Sequence, residues 1–181
     1  MPVDLSQYDN KWYKPGSSVK RFCWYWINLI FFRTGLFPFY GLKTFLLISF
    51  GAKVGRGVVI KPSVNIKYPW FLVLGNYVWI GENVWIDNLG KVTVGSNVCI
   101  SQGALILSGN HDYSKSAFNL EILPIVLEDG VWIGAKAIVC GGTVCRSHVV
   151  VTAGSVVSGE LETYSVYKGN PAVKIKSRII I

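Results

Sequence analysis

The chain repeats with a period of six residues between Val54 and Val157, and this period constrains its fold more than any other feature. The first position of each repeat is an aliphatic residue or cysteine: Val54, Ile60, Ile66, Leu74, Ile80, Ile86, Val94, Ile100, Ile106, Leu127, Ile133, Val139, Cys145, Val151 and Val157. Small or β-branched residues often follow four places later, as at Val58, Ala104 and Thr143. Neither an amphipathic helix nor an alternating strand has this period. Short parallel strands wound into a β-helix do.

Three such repeats close one triangular coil of about 18 residues. The first residue of each repeat and the small residue four places later are predicted to point into the prism. Because one coil buries little by itself, stability comes from stacking several. Glycine often follows the first position, as at Gly75 and Gly134, where we expect it to permit a tight corner.

The repeat is interrupted in three places. Ile66 to Leu74 and Ile86 to Val94 each span eight residues instead of six, and Ile106 to Leu127 spans 21. The stretch 107–126 is therefore predicted to be mostly a loop that leaves the prism, with part of it rejoining. Long loops on a rigid scaffold often carry function, so this loop is the first candidate for a site.

The interruptions and the composition divide the chain into three parts. Residues 1–50 form a helical cap or interfacial segment, residues 51–162 form the β-helix domain with the inserted loop 107–126, and residues 163–181 form a C-terminal tail. Within 19–50 the chain is rich in aromatic residues, but its longest uncharged apolar run, 22–32, is too short to span a bilayer. Two interpretations stay open: a cap over the first coil, since open β-helix ends need covering, or an anchor at a membrane surface. The two roles are compatible.

Charge and cysteine content narrow the class of partner and the compartment. The net charge is +8, which suits a phosphorylated ligand or an anionic membrane surface. No interleaved basic and aromatic pattern indicates nucleic acid. The four cysteines contain no CxxC pair. We therefore expect neither a disulfide framework nor a metal site. We expect the protein in the cytoplasm, including the inner face of the cell membrane.

His111 is the strongest candidate for chemistry, because it lies where the prism gives way to the long loop. The other histidine, His148, falls in a turn of the repeat. The ordinary pKa of histidine lies near neutrality, so it can take a proton from a hydroxyl as another bond forms. Such a base needs a partner that fixes its tautomer. A backbone carbonyl and a carboxylate both remain open.

Longer strings in the chain resemble the hexapeptide-repeat acyltransferases, which fold as left-handed parallel β-helices and use acetyl-CoA. The resemblance is to the galactoside, maltose and nodulation acetyltransferase group over roughly 50–178, and more closely to the colanic-acid biosynthesis acetyltransferases over almost the whole chain. The strings that carry it are Leu5-Ser6-Gln7-Tyr8, Ile60-Lys61-Pro62, Ile66-Lys67-Tyr68-Pro69-Trp70, Val84-Trp85-Ile86-Asp87-Asn88-Leu89, Cys99-Ile100-Ser101-Gln102, Ser108-Gly109-Asn110-His111-Asp112-Tyr113 and Gly169-Asn170-Pro171-Ala172.

The resemblance implies direct transfer of acetyl from acetyl-CoA to a sugar hydroxyl, with His111 as general base and no acyl-enzyme. Asn88 matches an asparagine that positions the acceptor. Asp87 and Asp112 are further acceptor contacts, with a turn-forming role as the alternative for each. No metal is expected.

The resemblance also implies a homotrimer, in which the pantetheine arm of the coenzyme lies between neighbouring prisms. Ala135 and Ala153 match small positions beside that arm, Trp132 flanks it or packs between subunits, and Lys176 is the basic residue for the coenzyme phosphates. Many relatives carry Thr-Lys-Asp after the last coil, where this chain has 158–160 as Ser-Gly-Glu. A phosphate-binding lysine is therefore missing there.

These observations favour an O-acetyltransferase that acts on a sugar of an exopolysaccharide, or on its lipid-linked oligosaccharide precursor. A small oligosaccharide or xenobiotic acceptor is the alternative within the same chemistry. A non-catalytic β-helical scaffold is the alternative of a different class. A zinc-dependent carbonic anhydrase on this architecture needs three histidine ligands, and the chain has two histidines.

Overall fold

The computed structural model describes residues 2–181 and shows a parallel β-helix of about six coils, preceded by two short helices. The predicted hexapeptide-repeat β-helix is confirmed. Helix α1 spans Ser18–Ile27 and helix α2 spans Tyr40–Ser49, and a π-helical turn at Asn28–Phe32 follows α1 directly. Short 3-10 turns lie at Leu5–Gln7 and Pro69–Phe71.

Three sheets form the faces of the prism, with strands numbered along the chain. Sheet A contains β1 (Lys53–Val54), β4 (Leu72–Leu74), β7 (Val92–Val94), β12 (Ile125–Leu127), β15 (Val144–Cys145) and β18 (Glu160–Leu161). Sheet B contains β2 (Val59–Ile60), β5 (Trp79–Ile80), β8 (Cys99–Ile100), β13 (Trp132–Ile133), β16 (Val150–Val151), β19 (Ser165–Gly169) and β20 (Ala172–Ser177). Sheet C contains β3 (Asn65–Ile66), β6 (Trp85–Asp87), β9 (Leu105–Leu107), β14 (Ile138–Cys140) and β17 (Val156–Val157). A separate hairpin pairs β10 (Gly109–His111) with β11 (Leu120–Ile122).

The core is a stack of the residues that the period marks as interior. In sheet B, for example, Ile60 pairs with Ile80, then Ile100, Ile133 and Val151 in successive coils. All of the predicted first-position residues from Ile60 onward are buried, including Cys145, whereas Val54 at the open end is only partly buried. The positions four places later are buried as well, including the polar Thr143 and Ser155. Each side chain therefore packs on its equivalents in the coils above and below, which is the one-dimensional stacking expected of a solenoid.

The role of glycine at the corners differs from the one predicted. The left-handed conformation falls three places after the interior residue, at Gly57, Tyr77, Asn97, Lys136 and their equivalents, and not at the glycine that follows it. At Gly134, a Cβ atom would lie 2.5 Å from the backbone nitrogen of Ala153 in the next coil, and at Gly75 it would lie 2.6 Å from the carbonyl carbon of Gly95. These glycines are therefore required because successive coils approach closely, which is a contact constraint and not a torsional one.

All three interruptions of the repeat lie at the same corner, where the chain passes from sheet C to sheet A. The interior ladder resumes after them at Leu72, Val92 and Ile125, each fully or almost fully buried. The extra residues therefore sit in the corner segments 67–71, 87–91 and 108–124, stacked on one edge of the prism. The longest of the three contains the hairpin of β10 and β11, so the predicted loop does leave the prism, but part of it is paired as strands.

Helices α1 and α2 cover the open end of the first coil. The Trp24 indole N–H donates to the Ile66 carbonyl at 2.8 Å. Asn28 receives the Ile66 N–H at 3.3 Å and donates to the Asn65 side chain at 2.7 Å. The fully buried Lys43 ammonium donates to the carbonyls of Ile60 and Lys61 at 3.3 and 3.0 Å. Side chains of the helices thus satisfy strand groups that have no coil beneath them, which removes an exposed sheet edge.

The other end is closed by β20, which folds back antiparallel on β19. The turn between them is 169–172, with a cis peptide bond before Pro171. Within residues 2–181, neither helix reaches the length and apolar character needed to cross a bilayer.

Candidate active site

His111 is the last residue of β10 and faces Leu120 across the hairpin. The hairpin leaves the prism at Ser108, a fully buried residue whose hydroxyl accepts the Gly90 N–H at 2.9 Å and donates to the Asp87 carbonyl at 3.3 Å. These contacts tie the start of the hairpin to the corner of the preceding coil. The position of His111 is therefore set by the rigid prism and not by a free loop.

The partner of the imidazole is a backbone carbonyl. His111 Nδ1 lies 2.9 Å from the Phe118 carbonyl oxygen. Because a carbonyl only accepts hydrogen bonds, Nδ1 must carry the proton, and Nε2 is left with a free lone pair. The Phe118 ring stacks on the imidazole at a centroid distance of 4.5 Å and an angle of 6°. Phe118 has a φ of 49°, a left-handed conformation that is rare for an aromatic residue.

A cleft of about 540 Å³ lies beside His111. Its walls come from the hairpin, from the corner of the first two coils and from the N-terminal arm that precedes α1. The arm is held in place by the Asp4 N–H, which donates to the Ser116 carbonyl at 2.9 Å, and by the Tyr13 hydroxyl, which donates to the Leu89 carbonyl at 2.7 Å. Burial raises the pKa of Tyr13 above its ordinary value, which keeps the hydroxyl protonated. Tyr8 approaches His111 with ring centroids 5.8 Å apart.

The three predicted acceptor contacts do not line this cleft. Asn88 is fully buried, and its amide accepts the Tyr68 N–H at 3.0 Å and donates to the Tyr68 carbonyl at 2.7 Å. Asp87 is 9% exposed, with Oδ1 3.0 Å from Lys67 Nζ. Because Tyr68 and Lys67 do line the cleft, Asn88 and Asp87 support its wall from beneath.

Asp112 is engaged in the turn that follows β10. Its carboxylate accepts hydrogen bonds from the backbone and hydroxyl of Ser114 and forms an ion pair with Lys115 at 3.0 Å. The bonds from Ser114 and then from Lys115 lower the pKa of Asp112. The structure therefore places Asp112 in the turn-forming role, which was the alternative for this residue.

The four residues predicted to bind the coenzyme come together at a different corner, between sheets B and C. Trp132, Ala135 and Ala153 line one cleft of about 310 Å³, and Trp132, Ala153 and Lys176 line an adjoining cleft of about 830 Å³. The N–H groups of Ala135 and Ala153 donate to no acceptor within residues 2–181, which leaves them available to a ligand. The Trp132 indole is held by a hydrogen bond of 2.9 Å to the Ser101 hydroxyl.

Lys168 and Lys176 contribute positive charge at the far end of this predicted coenzyme groove. Both line the larger cleft, and neither forms an ion pair within residues 2–181. Two other basic residues of the tail are already engaged. Lys174 pairs with Glu162 at 2.7 Å, and Arg178 donates to the carbonyls of Gly130 and His148. The sequence analysis named Lys176 and not Lys168, because only the hairpin of β19 and β20 decides which lysines face the groove.

The coenzyme groove and the His111 cleft lie on different corners of the prism, with sheet C between them. Gln102 lines the groove and Leu107 ends the strand that leads to the hairpin. The turn at 102–103 and strand β9 separate these two positions. One prism therefore does not bring the two sites together.

The metal-ligating side chains of residues 2–181 form no group of three that could hold a metal ion. No matching family model was found for this chain. Individual proteins do match. The putative colanic acid biosynthesis acetyltransferase WcaF of Escherichia coli is 37% identical over 177 residues, which cover 97% of this chain and 97% of that protein. The putative lipopolysaccharide biosynthesis O-acetyl transferase WbbJ of the same organism is 28% identical over 141 residues, or 71% of each chain.

Solved structures show the same fold. A hexapeptide-repeat acetyltransferase from Vibrio cholerae, solved in complex with acetyl coenzyme A, superposes with a TM-score of 0.80 over 92% of this chain and 93% of that chain. Its sequence identity of 21% supports the shared architecture alone.

Proposed function

The chain belongs to the hexapeptide-repeat acetyltransferases and is an acetyl-CoA-dependent acyltransferase; from this premise we propose that it acetylates a sugar hydroxyl of an exopolysaccharide or of its lipid-linked precursor. The observation that carries the proposal is the contact between His111 Nδ1 and the Phe118 carbonyl, at 2.9 Å. It leaves Nε2 as an acceptor at the edge of a polar cleft of about 540 Å³. A sugar hydroxyl placed there can give its proton to Nε2.

In the proposed reaction His111 Nε2 takes the proton of the acceptor hydroxyl as the hydroxyl oxygen bonds to the acetyl carbon. The bond from that carbon to the coenzyme sulfur breaks, and the proton passes from the imidazolium to the departing thiolate. The Phe118 carbonyl stabilises the imidazolium that forms in between, because Nδ1–H remains its donor. A backbone N–H is expected to stabilise the oxyanion. No group of the protein becomes acylated.

We further propose that neighbouring subunits of a homotrimer complete each site. Support comes from the location of the groove and of His111 on different corners of the prism, with sheet C between them. A second prism placed beside the groove can supply its His111 to the coenzyme bound by the first. The exposed indoles of Trp79 and Trp132, on the outer face of sheet B, suit either a subunit contact or a wall for the coenzyme arm.

Release of coenzyme A, measured with acetyl-CoA and a panel of acceptor sugars, tests the proposed reaction. We expect sugar-dependent release and O-acetylated product. A protein that binds acetyl-CoA but acetylates no sugar would instead favour the scaffold interpretation.

The acceptor is also proposed to lie at a membrane, because α1 presents an apolar stripe to solvent. Val19, Phe22, Trp26 and Ile30 follow helical spacing and are between 43% and 74% exposed. Large aromatic side chains next to basic residues are typical of helices that lie in a membrane interface. We expect purified protein to bind phosphatidylglycerol vesicles, and F22S/W26S to bind several-fold less in a sedimentation assay. Equal binding by this variant and the wild type would exclude the stripe as an anchor.

A further inference from the structure

The cleft beside His111 continues into a second cleft between α1 and the first coils. The second cleft has a volume of about 340 Å³. Arg21, Lys67 and Tyr68 line both clefts, so they form the boundary between them. A ligand with one end at His111 can therefore extend past these three residues toward the cap.

The lining of the joined clefts is strongly basic. The cations are Lys11, Lys14, Arg21, Arg33 and Lys67, and no carboxylate is among the lining residues. Lys67 is partly neutralised by Asp87, at 3.0 Å. Such an excess of positive charge in a cleft attracts an anion and is costly without one.

Three of these cations have no protein partner of opposite charge. Within residues 2–181, none of Lys14, Arg21 and Arg33 forms an ion pair. The Arg21 Nε atom is also buried and has no hydrogen-bond acceptor. Buried donors are nearly always satisfied in folded proteins, so water or a ligand in the cleft is needed to accept from this guanidinium N–H.

The second cleft ends at the aromatic surface of the cap. Tyr25 lines the cleft, and its ring lies 5.5 Å from the ring of Trp26. Trp26 in turn lies 6.4 Å from Phe22 and belongs to the exposed stripe of α1. Polar and cationic side chains near His111 thus give way to apolar ones toward the outside.

We propose that the joined cleft binds the diphosphate of a lipid-linked sugar acceptor. The sugar lies at His111, the phosphate oxygens contact Arg21, Arg33 and Lys67, and the lipid chain leaves along Tyr25 and the stripe of α1. Guanidinium groups form paired hydrogen bonds with phosphate, which suits this charge. A sugar acid would supply a single negative charge and no apolar chain. The inference rests on the proposed function for the identity of the sugar, but the phosphate contacts can be tested without it.

The test measures binding of geranyl diphosphate to the full chain by calorimetry, with coenzyme A in excess so that the coenzyme groove is filled. Inorganic pyrophosphate, a methyl glucuronide and phosphatidylglycerol vesicles are titrated in parallel. The variants are R21Q, R33Q and the conservative R21K. The control is K53Q, which removes an exposed lysine outside both clefts. Arg33 is itself exposed, so R33Q keeps the test valid even where R21Q disturbs the fold.

We expect geranyl diphosphate to bind more tightly than pyrophosphate. R21Q and R33Q should each weaken it about tenfold, with partial recovery in R21K and no change in K53Q. Equal affinity in all variants would overturn the proposal. Binding of vesicles alone would assign the charge to lipid headgroups, and tighter binding of the glucuronide would assign it to a sugar acid. Arginine-dependent binding of geranyl diphosphate without acetylation of any sugar would refute the proposed function and leave the phosphate site standing.

Discussion

Replacing His111 by asparagine is the most direct way to examine the site. The substitution removes the imidazole that is proposed to take the proton of the acceptor hydroxyl, and it keeps a polar side chain of similar reach. In the structure the imidazole makes one hydrogen bond, to the Phe118 carbonyl, and stacks on the Phe118 ring. It lies at the prism surface and not in the core, so its loss leaves the β-helix intact.

The expected effects on folding and on activity differ in size. Loss of one partly exposed hydrogen bond lowers the free energy of unfolding by about 1 kcal/mol. Loss of a positioned general base lowers kcat by about a hundredfold to ten-thousandfold. At about 1.4 kcal/mol for each factor of ten, that range is about 2.7–5.5 kcal/mol of transition-state stabilisation. The KM for acetyl-CoA should not change, because the coenzyme residues lie on another corner.

The assay follows coenzyme A release at saturating acetyl-CoA, and chemical denaturation checks the fold. His148→Asn is the matched control, since the His148 side chain stacks on Tyr164 at 4.6 Å and lines neither the His111 cleft nor the coenzyme groove. Asparagine tolerates the left-handed backbone there, at a φ of 59°. H148N should retain wild-type kcat. An H111N enzyme with a kcat within threefold of the wild type would refute the general-base assignment.

Three further predictions concern the coenzyme groove and the cap. A153L narrows the groove at a position where the chain has only a methyl group, so the KM for acetyl-CoA should rise about tenfold while the thermal midpoint is unchanged. K176A should raise the KM for acetyl-CoA about threefold to tenfold at low salt. K174A, which removes a lysine already paired with Glu162, should leave this KM unchanged. Equal effects of the two substitutions would mean that the lysines attract the coenzyme only nonspecifically. Burial lowers the pKa of Lys43 in the folded protein below its ordinary value of 10.5. Between the folded pKa and 10.5 the unfolded chain therefore binds more protons than the folded one, and the free energy of unfolding should rise with pH up to about 10.5. K43M should lack that rise in denaturation curves taken across this range.

The interior of the β-helix could be predicted from the sequence because solenoid packing is local. Each buried side chain meets its equivalents one coil away, so a period of six residues is enough to identify it. Even Cys145 was assigned correctly from its register alone. The three interruptions share one corner, and this could have been predicted because three repeats make one coil. The same count would have placed Lys67 and Leu89, which lie in the first two interruptions, beside His111 in the third.

The details of the site required contacts between segments that have no periodic relation. The carbonyl that orients His111 comes from Phe118, in the segment that connects the two strands of the hairpin. Asn88 turns inward because the Tyr68 backbone in the preceding coil offers both a donor and an acceptor. The N-terminal arm reaches the cleft through Tyr13, whose hydroxyl bonds 76 residues away in the chain.

The sequence by itself therefore determined the architecture and the buried ladder, and it singled out His111 as the candidate general base. Only the tertiary structure decided the tautomer of His111, the separation of the coenzyme groove from the acceptor cleft, and the joining of Arg21 and Lys67 in one basic cavity. The physical reason is the range of the interactions. Stacking contacts recur in every coil and therefore produce a periodic pattern in the sequence. A cleft is formed by contacts between distant segments that occur only once, so no sequence pattern marks it.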